Sequence, residues 1–340
     1  MKKKFMWKKM WNQRKMMVNK NWTEEEREEL KDMTDEEKNI ALGELYFLRA
    51  LNHFNLLNYF GAIYIKTPPT VGVEDLDVAR NTVDEVYTQI ISDLTFAADY
   101  LPSSGNKTRA SQYAAKALLA RVYLYKADYS NAVVMATDVI DNGGYSMPDD
   151  FSEIFSDDQS SESIFEVYFS LEERNRIAEY NFPKTLNGRR EVEPAQDLLN
   201  DFEVGDERFT ASIAYEGALA YAIKYDDLSL GADNVIVLRL ADMYLIRAEA
   251  NAKLSGTVVS IQDDINKIRT RANLGNTSAA TYPALLSVIE HERKIEFAFE
   301  GHRRFDLVRT DQASDILGIS KEKYFFPIPI GELNTNTAID

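Results

Sequence analysis

The chain has 340 residues, no cysteine and a formal net charge of −16 at pH 7. This length suits one large domain or two small ones, and the negative charge argues against a nucleic-acid partner because nucleic acid is itself polyanionic. The lack of cysteine excludes disulfides, thiolate catalysis and cysteine-ligated metals, and no run approaches the ~18 apolar residues that a membrane-spanning helix needs.

Residues 1–42 differ in character from the rest of the chain. Residues 1–20 carry eight Lys or Arg and no acid, with aromatic residues interleaved, and residues 23–38 are strongly acidic. We interpret residues 1–42 as an atypical leader, either disordered or weakly helical. A basic aromatic segment that touches an anionic membrane surface is the alternative.

Helical periodicity dominates from residue 43 onward. Leucine and phenylalanine side chains of residues 43–60 fall on one broad face, and Gly61 is expected to end that helix. Residues 62–80 read as an extended loop. A second helix is predicted over 82–100, because Thr82 and Glu85 have the spacing of a capping box.

A helical hairpin follows, with small residues and tyrosines at helical spacing. Such residues let two antiparallel helices approach closely, as in tetratricopeptide repeats. The pattern comprises Leu119, Ala120, Tyr123, Tyr129, Ala132 and Ala136, and it recurs as Leu240, Ala241 and Tyr244. We expect these positions to pack the core.

Residues 146–234 interrupt this pattern with short β-like runs at 164–169 and 220–225. The predicted fold is mainly α: a tetratricopeptide-like scaffold (43–145 and 235–310) with an irregular loop and short-strand insertion (146–234). A C-terminal strap (311–340) completes a single domain spanning 43–340. Loops on a rigid scaffold are where binding residues usually lie.

Acidic and basic residues are concentrated between 292 and 309. Acids at 292, 296 and 300 have helical i, i+4 spacing, and arginines crowd the next turn. We expect a buried or half-buried ion-pair clasp that fixes one segment against another. Its predicted members are Glu292, Arg293, Glu296, Glu300, Arg303, Asp306 and Arg309.

Motifs of catalysis and metal binding are missing from the sequence. The three histidines do not have zinc-site spacing, and there is no phosphate-binding glycine loop or nucleophile elbow. We therefore predict no catalytic residue, no metal and no cofactor. A pair of carboxylates for glycoside hydrolysis stays open on composition alone.

Several blocks of the sequence, in order, resemble the SusD/RagB family of Bacteroidetes. They include GELYFLRALNHFNLLNYFGAIYIKT, RASQYAAKALLARVYLYKADYSNAVVMATDVIDNGGYSM and VEPAQDLLNDFEVGDERF. VIVLRLADMYLIRAEANAKL, DDINKIRTRANL, ERKIEFAFEGHRRFDLVRT and FFPIPIGELNTN follow. The resemblance covers about residues 43–336 and is specific for the family, not for the ligand.

The resemblance implies a set of tetratricopeptide-like helix pairs that supports a less regular, ligand-facing region. It implies a non-catalytic lipoprotein at the outer surface of the cell outer membrane. Such a protein binds oligosaccharides or other nutrients and delivers them to a SusC-like TonB-dependent transporter. The family's lipoprotein signal and acylated cysteine are not in this sequence, so the mode of anchoring is left open.

Sugars present apolar C–H faces and many hydroxyls, which aromatic rings and amide side chains complement. The candidate ligand-binding residues are Asn58, Tyr59, Tyr64, Tyr168, Tyr180, Asn181, Phe182 and Tyr225. The sequence leaves two other functions open. One is that of a helical-repeat protein that binds another protein and has no glycan affinity, and the other is that of a helical glycoside hydrolase.

Overall fold

The computed structural model describes residues 33–68, 72, 77–156 and 158–339. The first half of the chain contains two pairs of long helices. They are α1 (Asp35–Phe60), α2 (Val83–Tyr100), α3 (Gln112–Tyr125) and α4 (Tyr129–Asn142). Helix α1 packs on α2, α2 on α3, and α3 on α4. The prediction of a mainly helical, tetratricopeptide-like scaffold is confirmed.

The irregular region contains short helices and two small antiparallel sheets. The helices are α5 (Glu153–Ser156), α6 (Ile177–Asn181), α7 (Gln196–Asp201) and α8 (Glu207–Ser212). A 3₁₀ turn covers Lys184–Leu186. The strands are β1 (Ser163–Val167), β2 (Ile213–Glu216), β3 (Leu219–Ala222) and β4 (Val235–Arg239). Strand β1 pairs with β4, and β2 pairs with β3.

Helices return after β4 and rejoin the first scaffold. They are α9 (Leu240–Lys253), α10 (Val258–Arg271), α11 (Tyr282–Glu296), α12 (Arg303–Arg309), α13 (Ala313–Leu317) and α14 (Ile330–Thr335), with a 3₁₀ turn at Lys321–Lys323. Helix α9 packs on α4, α10 and α11. Because α9 touches both halves, the helix pairs stack as one scaffold although the irregular region separates them in sequence.

Alanines allow the central helices to lie close together. Ala114, Ala117 and Ala120 of α3 and Ala132 and Ala136 of α4 are fully buried. Larger side chains such as Phe47, Ile90 and Leu118 fill the same core. The packing predicted for the small residues of this hairpin is therefore present.

Capping explains where the first two helices begin. Thr82 caps α2, and its side chain and Glu85 form the predicted reciprocal capping box. Helix α1 ends before Gly61 as predicted, but it begins at Asp35, where Thr34 and Glu37 form a second capping box. The helix therefore runs through the boundary at 42/43 that the sequence pattern predicted.

Two other boundaries differ from the sequence expectation. Residues 235–239 were assigned to the helical scaffold but form β4, whose branched side chains lie in a ladder with β1. Helix α11 ends at Glu296, so Glu300 lies in the turn that follows and the predicted helical row of acids stops one member short. Phe299, at φ +67°, and Gly301, at φ +83°, turn the chain there.

Candidate functional site

A cleft lies where α1 ends and the C-terminal segment crosses it. Two cavities, of about 300 and 690 Å³, share Gly61, Val83 and Phe325 in their walls. We call these two cavities together the α1-exit cleft. Their volumes fall at the lower end and in the middle of the roughly 300–1,000 Å³ typical of small-molecule sites.

The end of α1 shapes this cleft. Gly61 has φ +71°, a conformation that glycine adopts without steric cost, and a Cβ there would lie 3.5 Å from the ring of Phe325. The backbone N–H of Phe326 donates a hydrogen bond of 2.7 Å to the carbonyl oxygen of Tyr59. This hydrogen bond holds the last turn of α1 beside the C-terminal strap (311–340).

Aromatic rings form one side of the cleft. The ring of Tyr59 lies edge-on to Phe305 at 4.9 Å and tilted against Phe326 at 5.9 Å, measured between centroids. Tyr59, Phe325 and Phe326 remain 38%, 44% and 47% exposed. Phe325 and Phe326 line the cleft and therefore offer apolar surface to a ligand from solvent, whereas Tyr59 packs against Phe326 and lines neither cavity.

Charged groups stand next to the rings. The guanidinium of Arg304 lies 4.5 Å from the centroid of Phe326 and donates a hydrogen bond of 3.0 Å to the carbonyl oxygen of Tyr324. In the smaller cavity, Lys321 donates to Asp311 and holds the pKa of that carboxyl below its usual range. The cleft thus combines apolar platforms with hydrogen-bonding groups.

The predicted ligand residues beside α1 differ in their surroundings. Asn58 lines the smaller cavity, but its side-chain amide donates a hydrogen bond of 2.8 Å to the carbonyl oxygen of Phe54. Tyr64 is 39% exposed in the segment after α1. Asn81 orders that segment by bonding the backbone on both sides of Tyr64, at Ile63 and Ile65.

Tyr168 and the 180–182 triplet lie on other elements. Tyr168 follows β1 and is 62% exposed. The Arg189 guanidinium lies 5.2 Å from the ring centroid of Tyr180, and Phe182 packs edge-on to Tyr221 at 5.0 Å. Asn181 is buried, and its amide donates to the carbonyl oxygen of Ile177.

Tyr225 is buried and has a structural environment. Its hydroxyl accepts a hydrogen bond of 3.1 Å from the backbone N–H of Ile236, and its ring lies edge-on to Phe155. Burial raises the pKa of this phenol. Neither the ring nor the hydroxyl of Tyr225 faces solvent. Asn181 is buried as well, and neither residue lines the α1-exit cleft.

The acids at 292, 296 and 300 belong to a buried ion-pair network. Glu296 pairs with Arg208 (3.3 Å), Arg239 (2.5 Å) and Arg271. We call the whole set the first network, which comprises Asp206, Glu162, Glu292, Glu296 and Glu300 with Arg208, Lys224, Arg239, Arg269 and Arg271. Its five buried acids balance its five bases, and Arg269 also pairs with the exposed Glu203 at its edge.

A second network lies between α9, α11 and α12. Arg293 pairs with Asp242 (2.9 Å) and Asp306 (3.0 Å), and Arg309 pairs with Asp306 (2.8 Å) and Glu249 (2.5 Å). Arg121 of α3 completes it through a 2.8 Å pair with Asp242. Three acids again balance three bases.

The remaining predicted clasp residue, Arg303, belongs to neither network and pairs with Glu290 at a half-exposed position.

Each network contains buried carboxylates whose pKa is strongly lowered. Burial opposes ionisation of Glu300, but Arg239 and Lys224 outweigh it and lower its pKa to about 2. Burial likewise opposes ionisation of Asp306, and Arg293 and Arg309 lower its pKa to about 2. Carboxylates in this state hold no proton to donate near neutral pH, so they cannot serve as general acids there.

Sequence reasoning missed most basic partners of the clasp and part of the cleft. Arg208, Arg239 and Arg271 are far from residue 292 along the chain, so local spacing carries no trace of their contacts. For the cleft, the signal was available in Phe325 and Phe326. They adjoin Pro327 and lie outside any helical pattern, and both are about half exposed.

Metal-site geometry and membrane-spanning helices are both missing from the parts of the chain that the structure describes. No group of three or more His, Asp or Glu residues there is placed to hold a metal ion. No helix there has the length and hydrophobicity required to cross a bilayer.

Two models of one family match the chain. The model described as "SusD family" matches residues 222–320, and the model described as "Starch-binding associating with outer membrane" matches residues 4–124. The second match begins within the segment that the sequence pattern set apart as a leader.

Curated relatives and solved structures agree with these models. A SusD-like protein of Formosa agariphila is 25% identical, and the match covers 88% of this chain and 72% of the relative. A "Laminarin binding SusD-like protein" superimposes with a TM-score of 0.80 at 28% identity, covering 91% of this chain and 79% of that one.

A SusD superfamily protein of Bacteroides vulgatus gives a TM-score of 0.82 at 25% identity, with 92% and 80% coverage. Together the two family models span both halves of the helical scaffold, and the similar structures share its fold along most of the chain. The chain therefore belongs to the SusD/RagB family.

Proposed function

We propose that this protein is a non-catalytic glycan-binding protein of the outer membrane that passes oligosaccharides to a SusC-like TonB-dependent transporter. The observation that carries the proposal is the α1-exit cleft, in which the exposed rings of Phe325 and Phe326 adjoin charged side chains. A sugar ring places its C–H face on such a platform, and its hydroxyls bond to the charged groups at the edge.

The comparisons support this proposal at a coarser level. One matching family model is described as starch-binding and associated with the outer membrane, and one similar structure is described as laminarin-binding. Delivery to a transporter and a position on the outer surface rest on the family resemblance alone.

The first test is a binding screen of the whole protein against laminarin, starch and other polysaccharides by affinity electrophoresis and calorimetry. For the glycan that binds, Phe326→Ala should lower affinity about tenfold, because losing one ring platform costs on the order of 1.4 kcal/mol. Tyr100→Ala is the matched control, since Tyr100 is 46% exposed on α2, away from the cleft.

Each result of this screen decides a different point. Binding that is equally strong in Phe326→Ala would place the site elsewhere, and no binding to any glycan would overturn the proposed function. Hydrolysis of a bound glycan would contradict the non-catalytic role.

A protein-binding role without glycan affinity is the second candidate, and the outer face of α1 favours it. Leu45, Leu48, Leu56 and Tyr59 are each 38–43% exposed along this helix. Co-purification of a transporter with the wild type, lost in Leu48→Asp, together with no glycan binding, would select this alternative.

A further inference from the structure

The turn between α7 and α8 contains a further cavity with aromatic walls, separate from the two cavities of the α1-exit cleft. It has a volume of about 350 Å³. Phe202 and Phe209 line it on the apolar side, and Glu203, Glu207 and Thr210 line it on the polar side. We call this cavity together with Tyr215 the α7–α8 shelf.

Three rings follow one another along the shelf. Phe202 and Phe209 meet edge-to-face at 5.1 Å, and Phe209 and Tyr215 lie 6.3 Å apart with planes inclined by 33°. Tyr215 extends from β2 and is 50% exposed. The last two rings therefore lie side by side as one shallow apolar surface that solvent reaches.

Hydrogen-bonding groups border this surface. The exposed carboxylate of Glu207 makes no ion pair or hydrogen bond within the described part of the chain. The Thr210 hydroxyl donates to the backbone carbonyl of Glu207, which leaves its own oxygen able to accept. In contrast, the carboxylate of Glu203 is already paired with Arg269 at 2.6 Å.

The first network holds the shelf in place. Asp206 starts α8 and pairs with Arg208, which reaches Glu292 of α11 at 2.8 Å. Arg269 of α10 ties Glu203 and Glu292 together. A surface fixed in this way loses little conformational freedom when a ligand binds, which favours affinity.

We propose that the α7–α8 shelf is a second carbohydrate-contacting site, which takes one sugar residue of a longer glycan chain. This inference rests on the proposed function, since it assumes that the ligand is a glycan. Tyr215 and Phe209 supply the platform, while Glu207 accepts hydrogen bonds from sugar hydroxyls. A cationic amine is the competing ligand, but Arg269 and Arg208 already neutralise two of the three nearby acids.

The test compares Tyr215→Ala and Glu207→Gln with wild type and with the Tyr100→Ala control. Each protein is titrated with the polysaccharide that the wild type binds and with its trisaccharide. We expect both shelf variants to bind the polysaccharide about 3–10-fold more weakly, because one of two linked contacts is lost. Trisaccharide affinity at the α1-exit cleft should stay unchanged in these variants and fall in Phe326→Ala.

The outcomes separate the two proposals. Polysaccharide affinity that stays at the wild-type value in both shelf variants, while Phe326→Ala loses it, overturns the shelf and keeps the proposed function. Wild-type protein that binds no polysaccharide overturns both. Saturable binding of an alkylamine, lost in Glu207→Gln without any change in polysaccharide affinity, assigns the shelf to cations and overturns the carbohydrate site.

Discussion

Among single residues, Glu296 shows most clearly why the clasp is not an active site. It is fully buried and contacts Arg208, Arg239 and Arg271. Although burial disfavours the charge, these arginines lower the pKa of Glu296 well below its usual range. A buried carboxylate that is ionised near neutral pH has no proton to donate there, so Glu296 is unsuited to the general-acid role that a glycoside hydrolase requires.

Removing one partner of a buried pair tests the structural role of the clasp. Arg293→Ala removes a counter-charge that the buried carboxylates of Asp242 and Asp306 share, and such losses typically cost about 3–5 kcal/mol. We expect the free energy of unfolding, measured by urea denaturation, to fall by that amount while glycan affinity of the remaining folded protein is retained.

Arg176→Ala is the control for this variant. Arg176 pairs with Glu179 on the surface at 2.8 Å, and exposed pairs contribute only about 0–1 kcal/mol. Equal stability losses in the two variants, or loss of ligand binding by Arg293→Ala with unchanged stability, would contradict the structural interpretation.

At the scale of elements, the start of α2 was predictable from local sequence, whereas the pairing of distant segments was not. The Thr82–Glu85 capping box is local, so the sequence alone indicated where α2 begins. The strand Val235–Arg239 depends on a ladder with β1, about 70 residues earlier. Its apolar run fits a helix or a strand equally well, and only the distant partner decides.

The candidate site has the same division. Tyr59 and Tyr64 were predicted as ligand residues partly because they flank Gly61, which ends α1. Phe305 and Arg304 come to this end of α1 from α12, more than 240 residues later, through contacts that no local pattern encodes. The burial of Tyr225 against Phe155 likewise depends on tertiary packing that the sequence does not show.

Capping gives a prediction for α2 as an element. In Thr82→Ala, the N–H of Glu85 and the carboxylate of Glu85 both lose the threonine hydroxyl as a partner. We expect the free energy of unfolding, measured by thermal denaturation, to fall by about 1 kcal/mol. Thr88→Ala on the same helix removes only a side-chain bond to the carbonyl of Asp84 and should cost clearly less. Equal losses in both variants would argue against the capping contribution.

For the whole molecule, the net charge of −16 belongs mainly to the surface, because the two buried networks are balanced. His302 lies between these networks and stacks on Phe297 at 4.6 Å. Burial lowers the pKa of His302 to about 4, assisted by Arg121 and Arg293 and opposed by Asp242 and Glu300.

This shift makes the stability of the molecule depend on pH. In the unfolded chain, the imidazole of His302 takes up a proton below pH ~6.5. In the folded protein the same imidazole stays uncharged until about pH 4. Because the unfolded state binds the proton more readily, acidification favours unfolding. When the pH is lowered from 7 to 5, we expect the free energy of unfolding of the wild type to fall by about 1–2 kcal/mol more than that of His302→Asn. Urea unfolding at both pH values checks this, and equal losses in the two proteins would contradict it.

The separation of ion-pair partners along the chain has a consequence for biosynthesis. Arg208 and Arg239 leave the ribosome before Glu292, Glu296 and Glu300 do, and their other acidic partners, Asp206 and Glu162, neutralise only part of the cluster. A nascent chain that ends before residue 292 would have to bury cations without enough counter-charge. We therefore expect the second half of the scaffold to close only after residues 292–300 have been translated, so that synthesis of these acids commits this part of the protein to its fold.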